Sequence, residues 1–168
     1  MQIDKFKISG DGIFIAWSDK SENQTIDHTL NGHGQARPEL YQLMTLLADH
    51  VVEICEFPDK YGEGLEVKGV SFSYNETEKG ETINGAVLTA TKKLESGKTL
   101  LINTPHMTEI PIGNSTDFKT CLSSDCAEIL ERLKKEISEY IGGTRAQLQI
   151  FDQKQIANQA KRSRASRN

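Results

Sequence analysis

Much of what this sequence lacks narrows its role before any residue in it is assigned one. No apolar run approaches the roughly 18 residues that a transmembrane helix needs, and the opening Met1-Gln2-Ile3-Asp4-Lys5 has neither the basic nor the apolar segment of a secretory signal. The expectation is a cytoplasmic protein with no membrane contact. Cysteine is scarce. Cys55, Cys121 and Cys126 are odd in number and show no C-x2-C spacing, which argues against a disulfide framework, a zinc ribbon and a redox motif alike. Cys126 falls on the apolar face of a helical pattern, so packing as a reduced thiol is the simplest account of it. Phosphate-binding glycine loops are also missing, because Ser9-Gly10-Asp11-Gly12 and Gly32-His33-Gly34 precede no helix with a Lys-Ser/Thr or a G-x-G-x-x-G spacing. They read as turns.

The last segment lacks charge of one sign. Residues 153–168 carry Lys154, Lys161, Arg162, Arg164 and Arg167 and no acid. Removing these cations from the total of -4 leaves -9 on residues 1–152. Arginine interleaved with small polar residues buries no apolar surface, so the tail is expected to be disordered, with guanidinium groups free to pair with phosphate or acidic protein. At 168 residues the chain suits one hydrophobic core, expected over residues 1–152.

Hydrophobic periodicity supplies the elements. Ile3, Phe6 and Ile8 lie close to a period of two, Ser9-Gly10-Asp11-Gly12 turns the chain, and Ile13, Ile15 and Trp17 alternate again, which predicts a hairpin. A third strand is expected over Gln24 to Leu30, broken by Asn31-Gly32. Pro38 then suits a first helical turn, and Leu40, Leu43, Met44, Leu47, Val51, Ile54 and Cys55 recur at helical spacing as far as Pro58. Leu65, Val67 and then Val70, Phe72 and Tyr74 change parity at Lys68-Gly69, the mark of a β-bulge. Strands follow in Ile83 to Thr91 and Thr99 to Asn103. Thr104 to Thr116 is too rich in breakers for an element. A second helix starts near Ser123 or Ser124, carries Cys126, Ile129, Leu130, Leu133, Ile137, Tyr140 and Ile141, and ends at Gly142-Gly143. Lys134-Lys135 reads as its solvent side, and Leu148, Ile150 and Phe151 as a last short strand or docked segment. The fold class is therefore α+β: an antiparallel sheet in βββα-βββα order, two amphipathic helices on one face and a disordered C-terminal tail. The halves share no alignable residue pattern.

No catalytic constellation emerges. His28-x4-His33 with Asp27 has a spacing compatible with metal ligation but nothing that imposes convergence, and His50 reads as solvated. His106-Met107-Thr108 is half of the paired His-x-Thr signature of two-histidine phosphoesterases, and no second copy accompanies it. Neither a metal nor a cofactor is expected. Of the strand aromatics Phe14, Trp17, Phe72 and Tyr74, Trp17 at a strand end is the least committed to a core and the candidate for stacking on bases.

The stretch from Val67 to His106, VKGVSFSYNE and, after a polar turn, GAVLTATKKLESGKTLLINTPH, resembles segments of small uncharacterised accessory proteins encoded by bacteriophages and prophages. The resemblance implies a bacterial cytoplasm and a role in phage DNA metabolism or against host defence, and it transfers no site residue. The expectation is a non-enzymatic nucleic-acid-binding protein, with single-stranded DNA the preferred ligand, contacted by Lys154, Lys161, Arg162, Arg164, Arg167 and Trp17. The main objection is the acidic body, which repels a polyanion unless its cations cluster. The alternatives are an inhibitor or interaction module for a host protein, using that acidity, and a small hydrolase built on His28, His33 or His106. Open sheet edges make a symmetric homodimer a further expectation.

Overall fold

The alternation in the first twenty residues closes into a hairpin of β1 (Gln2–Ser9) and β2 (Gly12–Lys20). Ile8 lies opposite Ile13, Phe6 opposite Ile15 and Ile3 opposite Trp17, with a register shift between Ile3 and Lys5. That bulge explains the uneven spacing: Asp4 is the extra residue that lets Ile3 share a face with Phe6 and Ile8. The computed structural model describes residues 1–33, 35–77, 80–112 and 118–144. The strand expected at Leu148 to Phe151 and the tail 153–168, with Lys154, Lys161, Arg162, Arg164 and Arg167, lie outside these.

β3 (Thr25–Gly32) pairs with β2 over its whole length. It runs two residues past the expected break, because Gly32 acts there as a close-approach residue: a β-carbon on it would lie 2.7 Å from the Tyr140 hydroxyl. α1 (Pro38–Ile54) begins at Pro38 in its first turn. β4 (Leu65–Glu76), β5 (Thr82–Lys93) and β6 (Thr99–Asn103) form a second meander, and the β4–β5 register shifts between Val67 and Gly69, at the parity change. α2 (Ser124–Ile141) is capped by Ser123, whose Oγ accepts from the Cys126 N–H at 3.3 Å. Its end is a Schellman motif, with Gly143 N–H donating to Tyr140 C=O and Thr144 N–H to Glu139 C=O, and Gly143 at φ 95°.

One element was unexpected. β7 (Met107–Thr108) stands in the segment read as a loop and pairs with β5 along the same edge as β6. Pro105 has no N–H to give the ladder, so the edge strand is interrupted rather than ended. Thr104 bridges the gap: its N–H donates to Leu88 C=O and its Oγ1 accepts from Leu88 N–H, both at 2.9 Å. The βββα-βββα order is thus matched apart from this added strand.

The strand order β3-β2-β1-β4-β5-β6, antiparallel throughout, sets two outward-running meanders head to head across a short β1–β4 seam, Lys5–Ser71, Phe6–Val70 and Lys7–Gly69. The helices pack on each other and cross over: α1 lies on β4 and β5, and α2 reaches β1. The core sits between helices and sheet. Phe6, Ile15, Leu47, Val51, Leu133 and Ile137 are completely buried there, each contributing about 1.5–3 kcal/mol through loss of water contact. Arg37, just before α1, ties the helices together by donating to Glu136 (3.1 and 2.6 Å) and to Glu139.

Candidate functional site

Residues directly opposed across antiparallel strands share a face of the sheet, so the register states what each face carries. Both helices and the core occupy one face, and no described helix or strand packs across the other. One row of this open face runs across all six long strands, Asn31–Phe14–Lys7–Gly69–Thr89–Asn103, and the row beside it is Thr29–Ala16–Lys5–Ser71–Val87. These two rows contain lysine, hydroxyl and amide side chains, one aromatic ring and no carboxylate. Thr89 Oγ1 donates to Asn103 Oδ1 at 2.8 Å. Lys7 is exposed and Lys5 half-buried, and neither makes an ion pair among the described residues.

Acids on this side keep to the margins. Asp27 faces it from the edge strand, and Glu66 is paired with Lys68. Asp4, at the β1 bulge, is held above its ordinary carboxyl value by burial, against the lowering effect of its hydrogen bond with Ser18. Lys7, Lys68, Thr89, Thr91 and Leu101 line a shallow concavity of about 370 Å³ toward the β6 side. Gly69 makes the centre flat: a β-carbon there would lie 2.9 Å from the Phe6 carbonyl oxygen of β1.

The helix layer has the opposite character. α1 carries Glu39, Asp49 and Glu53 and no lysine or arginine. α2 carries Asp125, Glu128, Glu131, Glu136 and Glu139 against Arg132, Lys134 and Lys135. Lys134 does not belong to the solvent side as expected. Its side chain is 15% exposed, with Nζ 2.6 Å from Glu131 and over the rings of Phe72 and Tyr74 at 5.2 and 5.1 Å, because its stem lies along the sheet beside α2.

Trp17 lies on the helix-covered side, packed against the core and stacked on His28 with ring centroids 5.1 Å apart. The aromatic ring on the open face is that of Phe14, half-buried and outside the core cluster. Its parity, opposite to Ile13, Ile15 and Trp17, was the signal for it, as the alternation of Lys5 and Lys7 with Phe6 and Ile8 was for the lysines.

The histidines do not converge. His28 belongs to edge strand β3, with Nε2 3.1 Å from Asp19, which also holds the Met1 amino group at 3.1 Å. His33 follows the same strand. His106 sits at the opposite edge, between β6 and β7, so at the usual interstrand spacing roughly 24 Å of sheet separates them. His50 is not solvated: it is 15% exposed, 3.2 Å from Glu53 and 3.5 Å from Ser123, because the start of α2 packs over it. With Cys121 and Cys126 it lines a cavity of about 110 Å³. Burial, and then Glu53, push the Cys126 thiol up to about 12, which leaves it protonated and inert. Among the described residues no group of three His, Cys, Asp or Glu side chains could hold a metal ion, and no helix is long and apolar enough to cross a membrane.

The histidine at the β7 edge has a different partner. His106 Nε2 lies 2.6 Å from Ser73 Oγ on the open side, over Gly85. No known protein family, curated protein or solved structure matches the chain.

Proposed function

We propose that this chain is a nucleic-acid-binding protein of a phage or its bacterial host, taking single-stranded DNA on the open face of the sheet, with the basic segment 153–168 as an additional arm. The observation that carries the reading is the separation of charge between the two sides. The helices carry Glu39, Asp49, Glu53, Asp125, Glu128, Glu131, Glu136 and Glu139 on the covered side, whereas the rows through Lys5 and Lys7 hold no acid and only Asp4, Asp27 and Glu66 flank them among the described strand residues. Unpaired strands favour this geometry over duplex. The face is a sheet with a ring, Phe14, on which a base can stack, beside hydroxyl and ammonium donors for phosphate. Both helices, the elements that would enter a major groove, are on the acidic side.

The test is fluorescence anisotropy with labelled oligothymidine and with a duplex, each at two salt concentrations. The variant Lys5→Gln/Lys7→Gln is expected to bind the oligothymidine at least tenfold more weakly, with a salt slope lower by about 1.4. Deleting residues 154–168 measures the arm separately. Wild-type affinity in the lysine variant would sink the reading.

The acidic helix layer favours a second reading, an inhibitor whose carboxylates occupy the basic site of a DNA-processing protein. Capture of a stoichiometric partner from bacterial lysate, lost on Glu128→Lys/Glu131→Lys, would support it. Capture indifferent to those changes would count against it.

A further inference from the structure

The Ser73–His106 pair is built into the sheet rather than resting on it. It spans 33 residues of sequence and is brought together by the β4–β5–β7 register, in which Ser73 opposes Gly85 and Gly85 opposes Thr108. A β-carbon on Gly85 would lie 2.6 Å from Ser73 Oγ, 2.8 Å from the Met107 carbonyl oxygen and 2.9 Å from His106 Nε2. Only glycine leaves room for the hydrogen bond to cross at this height. Ser73 also lies two residues along β4 from Ser71, which faces Lys5, so the pair occupies the row next to the lysine rows.

We propose that Ser73 and His106 form a proton-gated phosphate contact at the margin of the open face, a proposal that rests on reading that face as the nucleic-acid site. With the imidazole neutral, Ser73 Oγ–H donates to Nε2, and the only donor directed away from the pair is Nδ1–H. Protonation reverses the bond. Nε2–H then donates to Ser73 Oγ, the serine hydroxyl hydrogen is released to point outward, and Nδ1–H remains. One proton therefore converts a neutral pair with one outward donor into a cation with two, which is what a phosphate requires.

Among the described residues no carboxylate forms an ion pair with His106. β4 contributes Ser73, β5 contributes Gly85 and β7 contributes the Met107 carbonyl. Thr108 Oγ1 is committed to the Ile110 carbonyl at 2.8 Å. Glu109, the carboxylate nearest in sequence, is held at 3.1 and 3.2 Å by Asn84 Nδ2, and Asn84 alternates with Gly85 onto the other side of the sheet. On the open face itself, Lys5 is the charge in the adjoining row, while Asp4 on β1 and Asp27 on β3 stand with Ser18 in the continuation of the Ser73 row.

The experiment is oligothymidine anisotropy about one unit above and one unit below the ordinary histidine value of roughly 6.5. Wild-type protein should bind on the order of fivefold more tightly at the lower pH, with a salt slope steeper by about 0.7. His106→Gln, which takes no proton, should lose that tightening, its affinity changing between the two pH values by less than about twofold. Gly85→Ala should do the same by prising the pair apart. Tightening of wild-type size in His106→Gln would overturn the proposal and assign the effect to other groups. A second readout needs no DNA: the His106 ring signals in NMR, followed as sodium tripolyphosphate is added, should move at the lower pH and not at the higher. Unmoved signals overturn the phosphate contact whatever the DNA result. Signals that move in a protein whose DNA affinity ignores Lys5→Gln/Lys7→Gln would uphold the contact and remove the wider reading of the face.

Discussion

The two faces of one sheet are built from the same alternating strands and have opposite chemistry. On the covered side, Ile3, Phe6, Ile15, Val70, Phe72 and Leu88 meet the apolar stripes of two helices whose outer surfaces are acidic. On the open side, the same strands present Lys5, Lys7, Ser71, Thr89 and Phe14 to solvent. Stability therefore resides on one side and the proposed recognition on the other, and net charge, which averages the two, describes neither.

The sharpest way to break this comparison is to substitute one apolar residue on each side. Leu133→Ala, at a fully buried position of α2, should cost about 3 kcal/mol in urea unfolding through lost burial and the cavity left behind. Val87→Thr, half-buried on the open face and outside the core cluster, should cost less than about 1 kcal/mol. Equal costs would mean that something packs on the open face.

Alkali should separate the faces next. Tyr74 on the covered side donates its hydroxyl to the Ile3 carbonyl at 2.7 Å, and burial, then Asp4, push its phenol from 10.0 up to about 12. Cys126 rises from 9.0 to about 12. Both groups are neutral when protonated and titrate later in the folded chain than in the unfolded one. Their stabilising contribution is complete below about pH 9 and is lost as pH rises toward 12. Unfolding free energy should fall across that window in wild type, and less steeply in Tyr74→Phe/Cys126→Ala. An equal slope would remove these two groups as the cause.

The smallest effect concerns the end of α1. Glu56 occupies the left-handed position of a Schellman motif at φ 52°, with Glu56 N–H donating to Glu53 C=O and Phe57 N–H to Val52 C=O. A side chain is strained there, and a carboxylate meets the negative end of the helix. Glu56→Gly should raise stability by about 0.5–1 kcal/mol in thermal unfolding without altering DNA affinity. A loss of stability would indicate a contact of the carboxylate that offsets the strain.

Much of the fold was legible because it is written in local periods. The stripe Leu40, Leu43, Met44, Leu47 and Val51 could only be a helix lying on a core, and the parity switch at Lys68-Gly69 gave the bulge. The miss at Met107–Thr108 arose because breakers interrupt local pattern without preventing pairing to a neighbouring strand, and Thr104 repaired the ladder with its side chain. Trp17 looked free because a strand end carries little local context. Its place was decided by the helices above and by His28 beside it.

The sequence by itself determined the elements, the turns, the helix caps and the surplus of acid in the body, since each depends on residues within a few positions of one another. Only the tertiary structure decided where the charge went and which distant groups met. Crossing helices placed their carboxylates on one side and left Lys5 and Lys7 on the other. Strand register set Ser73 against His106 over a glycine whose reason for being there cannot be seen along the chain. Local sequence fixes which way each side chain alternates, whereas what covers each side depends on contacts between residues far apart in the chain.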